Sequence, residues 1–350
     1  MKNKNYFKIN LIYFIAMTLI AIVFVLGYFG IIKNELLSSF LIQIVVMLAI
    51  PLLLYTVFVS KSFKKTCSDI GLKKISFKTT LIALALGVVL YILNTFVADL
   101  FHIIITLFGY ENLSTSTTIK LNYATLLKEF ALSAVLPGIC EEVLHRGIML
   151  MTSRKYHNPR IALITSSILF GLIHLNINQF FYAAILGCLI GYVSLVSDSI
   201  IPCMIIHFMN NFLSTYFYYG THLKFPLAKF ITTIEEFLIS NALLYVVVTS
   251  LIVMLAIYAY IYLTKRLTIE RVKTSMYHTL NNLGLENTLL PEAQAKLSHI
   301  NYILSRSEKI RSAIGIAPTT KSSFIDKIPL IASIILGTLV TISSFIWGII

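Results

Sequence analysis

The stretch that decides the fold is residues 124–152, which read ATLLKEFALSAVLPGICEEVLHRGIMLMT. It is apolar for longer than the roughly 20 residues that a helix needs to cross a bilayer. Near its middle, however, it carries two acidic residues, a histidine and an arginine. These are Glu141, Glu142, His145 and Arg146. Because ionisable groups inside a membrane span are costly, they indicate a functional site.

The composition also predicts a membrane protein. Of the 350 residues, 57% are hydrophobic and 12% are charged, and the mean hydropathy is +0.85. A soluble domain has roughly a quarter of its residues charged. The formal net charge of +13 predicts basic loops that face the anionic cytoplasmic leaflet. Nucleic-acid binding is disfavoured, because no stretch interleaves basic and aromatic residues as a binding face would.

Apolar stretches along the chain predict an all-α, polytopic transmembrane helical bundle of about eight or nine spans. They are residues 9–32, 36–60, 79–108, 124–152, 159–176, 178–197, 200–219, 238–264 and 328–350. On this division, residues 1–60 hold two N-terminal spans and residues 61–265 form the core. Residues 266–327 are a polar helical insertion before a last span at 328–350.

Basic residues indicate the orientation of the bundle. They concentrate before the first span, in the 61–78 loop, at 154–160 and at 265–266. With nine spans, these four regions fall on one side of the membrane, which the positive-inside rule identifies as the cytoplasm. We therefore expect a multi-pass cell-membrane protein whose N-terminus and 266–327 insertion are cytoplasmic.

The insertion has apolar residues at helical spacing. One run is Ile269, Val272, Met276, Leu280 and Leu283, and a second, in a helix that begins near Pro291, is Leu297, Ile300 and Leu304. Two interpretations follow. The helices form a hairpin that docks on the bundle or on a partner, or they form a basic amphipathic pair that rests on the membrane surface. We prefer the second.

The acidic pair in residues 124–152 divides into two roles. Glu142 and Arg146 lie four residues apart, so they share a helix face and can form an ion pair. Glu141 projects about 100° away around the helix and is free to line a cavity. There an unpaired carboxylate suits a general base. In the structural alternative, Glu141 pairs with His145, which is also four residues further on.

Two other predicted spans carry polar groups. His174 follows Phe170 by four residues, and His207 and Asn211 share one helix face. A lone histidine in an apolar helix is more often hydrogen-bonded packing than a catalyst. Together with Glu141, however, these groups supply a base, a partner that orients it and two potential oxyanion donors. That set is the one needed for attack of water on a carbonyl.

At these residues the chain resembles the CAAX protease and bacteriocin-processing (CPBP, Abi-type) family of intramembrane proteases. The signatures are Glu141-Glu142-x-x-x-Arg146, Phe170-x-x-x-His174 and His207-x-x-x-Asn211, with a minor match at Ile70-Gly71-Leu72. The resemblance covers roughly residues 60–220. Eukaryotic members remove the last three residues of prenylated CAAX proteins. Bacterial members are linked to peptide maturation, bacteriocin self-immunity and signalling.

The resemblance implies an intramembrane endopeptidase with a cavity open to the cytoplasm. It implies that Glu141 activates water with assistance from His174, and that His207 and Asn211 stabilise the oxyanion. The supporting positions are Glu142, Arg146 and Phe170. The expected partners are the lipid bilayer and a membrane protein or peptide that serves as substrate, with no nucleic acid.

Metal dependence stays open at the level of sequence. The resemblance allows a metalloprotease or a metal-free glutamate mechanism. Glu141, His174 and His207 could hold a catalytic zinc ion with one open position. We favour a site without a cofactor, since no HExxH helix is present and Asn211 is a better oxyanion donor than zinc ligand. The four cysteines, at 67, 140, 188 and 203, form no CxxC pair, so neither disulfides nor a structural zinc cluster are expected.

Helix geometry sets a condition on this site. At 1.5 Å per residue, Glu141 lies about 18 Å, His174 about 22 Å and His207 about 8 Å from the cytoplasmic ends of their spans. Straight parallel helices would keep these side chains apart, so either tilt or a seventh span that starts deeper in the membrane must bring them together.

Two other classes of function remain open. One is an ion-coupled transporter, which is disfavoured because the sequence shows no repeated halves. The other is a non-catalytic scaffold, or an immunity or signalling protein, that keeps a protease fold.

Overall fold

A computed structural model describes residues 4–111, 121–156, 158–282 and 323–347, and all regular structure within these ranges is helical. The helices are α1 (Lys4–Tyr28), α2 (Glu35–Ser60), α3 (Phe63–Asp69), α4 (Phe77–Leu107), α5 (Tyr123–Met151), α6 (Pro159–Leu172), α7 (Ile177–Ser197), α8 (Ile201–Leu223), α9 (Pro226–Ile239), α10 (Ala242–Asn282) and α11 (Ile328–Trp347). A 3-10 turn at Ile325–Lys327 precedes α11. The predicted all-α class is confirmed.

Within the described residues, seven segments are long and apolar enough to cross a membrane. They are α1, α2, α4, α5, α7, the part Leu243–Ser275 of α10, and the segment Ile325–Trp347 that contains α11. The other two predicted spans correspond to α6, which is apolar but shorter, and to α8. The predicted polytopic bundle is therefore confirmed, with a span count that depends on how these two helices are classed.

The boundary of the eighth predicted span differs from the structure. The sequence predicts one helix over 238–264, but α9 ends and α10 begins within four residues of its start. The charges of α9 hide it from a search for apolar runs; they are Lys229, Glu235 and Glu236. α10 continues to Asn282, so the start of the polar insertion belongs to the same helix as the span. The helix predicted from Pro291 lies outside the described residues.

Both α2 and α5 contain π-helical turns, which occur frequently at functional sites. The π segments are Leu41–Ala49 and Thr56–Ser60 in α2, and Phe130–Val135 and Val143–Met151 in α5. A proline follows the first π segment of each helix, at Pro51 and Pro137. A proline ring clashes with the carbonyl four residues earlier and cannot donate to it. The wider turn beside each proline accommodates that clash inside a continuous helix.

The two larger apolar clusters among the described residues hold the bundle together. The first joins α1, α2, α5 and α6 and includes Tyr13 and Leu144. The second joins α4, α7, α8 and α10 and includes Leu90 and Ile206. α5 contributes to the first cluster and α8 to the second, and the two helices pack on each other. The motif residues on α5 and α8 therefore lie where the clusters meet.

The predicted basic regions lie together in space. The ring of Tyr6, near the N-terminus, packs on Tyr156, in the turn after α5, with centroids 5.4 Å apart. In the same turn, Lys155 pairs with Asp69 of α3 at 2.9 Å. These contacts join the N-terminal region, the 61–78 loop and the turn between α5 and α6.

Asp198, which follows α7, connects these regions to α10. Its carboxylate pairs with Lys73 and, at 2.6 Å, with Arg154. Arg271 of α10 approaches the same carboxylate to 4.0 Å. Three of the predicted basic regions and the part of α10 that follows the fourth, at Arg271, therefore share one end of the bundle, which we call the basic end. That this end faces the cytoplasm stays a prediction.

Gly71 allows the 61–78 loop to pack closely against α5. Its φ is +78°, and a Cβ at this position would lie 2.8 Å from Met151 Cε of α5. Its carbonyl oxygen accepts a hydrogen bond from Ile200 N at 2.9 Å. Only glycine combines this left-handed backbone with so close an approach, which gives a physical reason for the Ile70-Gly71-Leu72 match.

Candidate active site

The centre of the site is a closed ionic group around Glu142, which is fully buried. Arg146 Nη1 lies 2.8 Å from Glu142 Oε1 and forms an ion pair with it. His207 Nδ1 donates a hydrogen bond to the same oxygen, also at 2.8 Å. The predicted pairing of Glu142 with Arg146 is therefore present. The bond from His207 ties α8 to α5 and was not expected from the sequence.

Glu141, the neighbouring carboxylate, faces a cavity instead. Its Oε1 accepts a hydrogen bond from Gln43 Nε2 at 2.9 Å, and its Oε2 lies 3.9 Å from His207 Nε2. The structural alternative, a Glu141–His145 side-chain pair, does not form. His145 Nδ1 instead donates to the Glu141 backbone oxygen at 2.9 Å, and its Nε2 lies 3.1 Å from the Tyr13 hydroxyl. Glu141 is thus available to a ligand.

Phe170 organises the side chains around the site. The Arg146 guanidinium lies over its ring, 4.2 Å from the centroid, which is a cation–π geometry. Three imidazoles stand edge-on to the same ring; they belong to His145 at 5.0 Å, His174 at 5.2 Å and His207 at 5.7 Å between centroids. This aromatic packing gives Phe170 a physical reason to belong to the motif.

His174 is held by its own helix turn. Its Nδ1 lies 2.8 Å from the Phe170 backbone oxygen. A carbonyl oxygen only accepts, so this nitrogen carries the hydrogen. In the neutral ring, Nε2 then has a free lone pair. His174 borders the same cavity as Glu141.

Pro137 determines how Asn211 is oriented. It has no N–H for the carbonyl of Ser133, four residues earlier, and Asn211 Nδ2 donates to that oxygen at 2.8 Å instead. The Asn211 Oδ1 atom then accepts from Asn210 Nδ2 at 3.0 Å. A proline in α5 thereby fixes two amide side chains of α8, and one Nδ2 hydrogen of Asn211 stays available.

The cavity has a volume of about 320 Å³. Polar and apolar side chains alternate around it, and it contains all four predicted catalytic residues. The lining residues are Gln43, Asn94, Leu132, Ser133, Pro137, Glu141, Phe170, His174, Gln179, Tyr182, Ala183, Leu186, His207, Asn210 and Asn211. The condition set by depth is therefore met: the side chains from α5, from the turn after α6 and from α8 line the same cavity.

Several polar residues of the cavity are missing from the sequence prediction, among them the amides Gln43 of α2, Asn94 of α4 and Asn210 of α8. Each is an amide within an apolar helix, and that was the available signal. It is weak, because a neutral amide is tolerated in a membrane span far more readily than a charge. Their proximity to Glu141 depends on how α2 and α4 pack, which no spacing within one helix reveals.

The zinc alternative requires Glu141, His174 and His207 to converge as ligands. Within the part of the chain that the structure describes, no three His, Cys, Asp or Glu side chains are arranged as a metal site. These side chains do not fit a zinc site as they stand. That the site works without a cofactor stays a prediction.

A comparison with protein-family models finds a match over the motif region. Residues 123–213 match the family described as Type II CAAX prenyl endopeptidase Rce1-like. No curated protein and no solved structure matches the chain. The matched segment begins with α5 and ends just beyond Asn211, so it contains each of the three motifs and the turns that bring them to the cavity. This match supports assigning the chain to the CAAX protease (CPBP) family of intramembrane proteases.

Proposed function

We propose that this protein is an intramembrane endopeptidase that hydrolyses a peptide bond of a membrane-associated protein or peptide through a water activated by Glu141. One observation carries the proposal. Of two adjacent buried carboxylates, Glu142 is ion-paired with Arg146, whereas Glu141 opens on a cavity with two imidazoles. A carboxylate held in this way can take a proton from water.

The nucleophile is a water molecule between Glu141 and His174. Glu141 presents carboxylate oxygens. His174 gives its Nδ1 hydrogen to the Phe170 backbone oxygen, so the acceptor that its ring can offer to the water is the Nε2 lone pair. Both groups accept, so a water that donates one hydrogen to each keeps its oxygen lone pairs for the carbonyl carbon. Glu141 takes the proton as the oxygen attacks. His174 orients the water.

The oxyanion is stabilised by His207 and Asn211. His207 Nδ1 donates to Glu142, so Nε2 is the ring nitrogen that faces the substrate, and with both nitrogens carrying hydrogen it donates to the oxyanion. The second Nδ2 hydrogen of Asn211 is the other donor. Two donors aimed at the developing negative charge supply the electrostatic stabilisation that acyl-transfer sites use.

The products follow from proton balance. Attack of water on the carbonyl carbon forms a C–O bond and moves one water proton to Glu141. Collapse of the tetrahedral intermediate breaks the C–N bond, and the leaving nitrogen takes the proton from Glu141. The reaction yields a carboxylic acid and an amine, and the carboxylate of Glu141 is regenerated.

The substrate class is set by the location of the site. A cavity inside a helical bundle admits a segment that is already bound to the membrane. The matched family is described as acting on prenylated CAAX proteins, so a farnesylated peptide that ends in a CAAX sequence is the first probe. We place the basic end, and with it the N-terminus, in the cytoplasm by the positive-inside rule.

The test is Glu141→Gln, which keeps the size of the side chain and its bond to Gln43 but removes the base. We expect cleavage to fall by about 10²–10⁴-fold. The measurements are hydrolysis of the farnesylated probe by purified full-length protein, and comparison of membrane peptidomes from cells with wild-type or variant protein. The control is Glu35→Gln, which changes an exposed carboxylate paired with Lys128. Cleavage that persists with Glu141→Gln contradicts the proposal.

A further inference from the structure

Three carboxamide oxygens at the cavity are buried without a hydrogen bond. They are Gln43 Oε1, Asn94 Oδ1 and Asn210 Oδ1, and among the described residues none of these atoms has a partner. They come from α2, α4 and α8, so they approach the cavity from different sides. Asn210 is only 4% exposed. Neither the family match nor the proposed chemistry uses these atoms.

The orientation of two of these amides is fixed by their neighbours. Gln43 must present its nitrogen to Glu141, because a carboxylate accepts hydrogen bonds and does not donate them. Asn210 must present its nitrogen to Asn211 Oδ1, because Asn211 gives its own nitrogen to the Ser133 carbonyl. In both residues the oxygen is therefore the atom that remains unpaired. The protein therefore offers hydrogen-bond acceptors at the cavity, and a ligand must supply the donors.

A buried acceptor that stays unpaired is unfavourable, so a ligand that fills the cavity should bring N–H groups to it. An aliphatic or prenyl chain has no donor. The main chain of an extended peptide has one N–H per residue, and in a strand successive groups point in opposite directions. Acceptors on three different helices can therefore pair with N–H groups that point in opposite directions.

We infer that the cavity binds its substrate as an extended peptide whose main-chain N–H groups donate to Gln43, Asn94 and Asn210. The inference rests on the proposed function and deepens it. Recognition at these positions is then independent of the substrate's side chains. A substrate helix must also unwind there, because in a helix the same N–H groups are already bonded to carbonyls.

The test pairs a change in the protein with a change in the peptide. In the protein, Asn94→Leu removes the acceptor at similar volume. The control, Thr95→Val, alters an exposed residue on the same helix whose hydroxyl bonds to its own helix at Tyr91 O. In the farnesylated CAAX probe, each N–H except that of the scissile bond is replaced in turn by an ester oxygen. Esters lack the donor and keep the shape.

One ester position should lower kcat/KM of the wild type by about three- to tenfold, the size of one lost hydrogen bond. This penalty should vanish in Asn94→Leu and persist in Thr95→Val. Asn94→Asp retains an acceptor, and in that variant the penalty should remain. The thermal unfolding temperature of Asn94→Leu should equal or exceed that of the wild type, because the change removes an unpaired polar atom.

Two results overturn the inference while leaving the proposed function intact. One is an ester penalty that is the same in Asn94→Leu as in the wild type. The other is a lowered unfolding temperature of Asn94→Leu, which would show that Asn94 stabilises the fold. If the wild type cleaves neither the farnesylated probe nor any peptide in membranes, the proposed function fails and the inference fails with it.

Discussion

Two carboxylates define two regions of this protein that use the same interaction in different surroundings. At the bundle centre, Glu142 meets Arg146 and His207, and its side chain is 0% exposed. At the basic end, Asp198 meets Lys73 and Arg154, and its side chain is 21% exposed. Water can replace a lost partner at Asp198 and cannot at Glu142. The two regions therefore differ in what the loss of one partner costs, although both are ion-paired.

The two regions also join different parts of the chain. Asp198 holds loops that are remote in sequence, and its φ of 55° is a left-handed conformation that Asp tolerates better than most residues. Glu142 holds two packed helices, α5 and α8, one residue away from the base proposed at 141. Pairing at the basic end gathers loops, whereas pairing at the centre fixes the geometry of the cavity.

The largest expected effect is at the centre. Glu142→Gln keeps the shape of the side chain but leaves the buried charge of Arg146 without its counter-ion. Loss of one partner of a buried pair costs about 3–5 kcal/mol. Chemical unfolding of the purified protein in detergent measures the change, with Glu35→Gln as the exposed control, for which about 0.5 kcal/mol or less is expected. Equal stability of the two variants would show that Glu142 is not the anchor of α5 and α8.

The next effect compares one substitution in both regions. Arg146→Lys keeps the positive charge but loses the planar guanidinium, which lies over the Phe170 ring and pairs with Glu142. We expect a loss of about 2 kcal/mol. Arg154→Lys at the basic end keeps an exposed pair with Asp198 and should cost about 0.5 kcal/mol or less. Unfolding free energies of both variants give the comparison, and a larger loss for Arg154→Lys would reverse it.

The same contrast explains how much of the site could be predicted. The Glu142–Arg146 pair follows from spacing on one helix, and the spans follow from apolar length. The His207–Glu142 bond joins α8 to α5, so it depends on the tilt and rotation of both helices. Spacing within His207-x-x-x-Asn211 indicates a shared face but not that the Nδ1 side of the ring is already occupied by Glu142.

Gln43 and α9 were missed for different reasons. Gln43 reaches Glu141 from a π-helical segment of α2, and nothing in the sequence of α2 indicates which side of that segment faces α5. α9 was missed because Lys229, Glu235 and Glu236 interrupt its apolar residues, so that a search by hydropathy passes over it. Contacts between helices and polar helices at the edge of the bundle are the two kinds of information that the sequence pattern lacks.

The smallest expected effect is at the basic end. Asp198→Asn should cost about 1 kcal/mol or less, because its partners are partly exposed and water screens the pairs. In 1 M salt, where the screening length is about 3 Å, the variant and the wild type should become nearly equal in stability. A loss as large as that of Glu142→Gln would remove the distinction between the two regions.

The pH dependence of that variant has a defined sign. Burial alone would raise the pKa of Asp198, but hydrogen bonds from Lys73 and Arg154 outweigh it, so the pKa is lowered. A lowered pKa in the folded state gives stability that is complete above the unfolded value, about 3.9, and is lost as the pH falls through the folded value. The stability difference between wild type and Asp198→Asn should therefore be constant from pH 8 to about 5 and shrink only below about pH 4. Unfolding measured across this range tests the sign, and a difference that grows on acidification would contradict it.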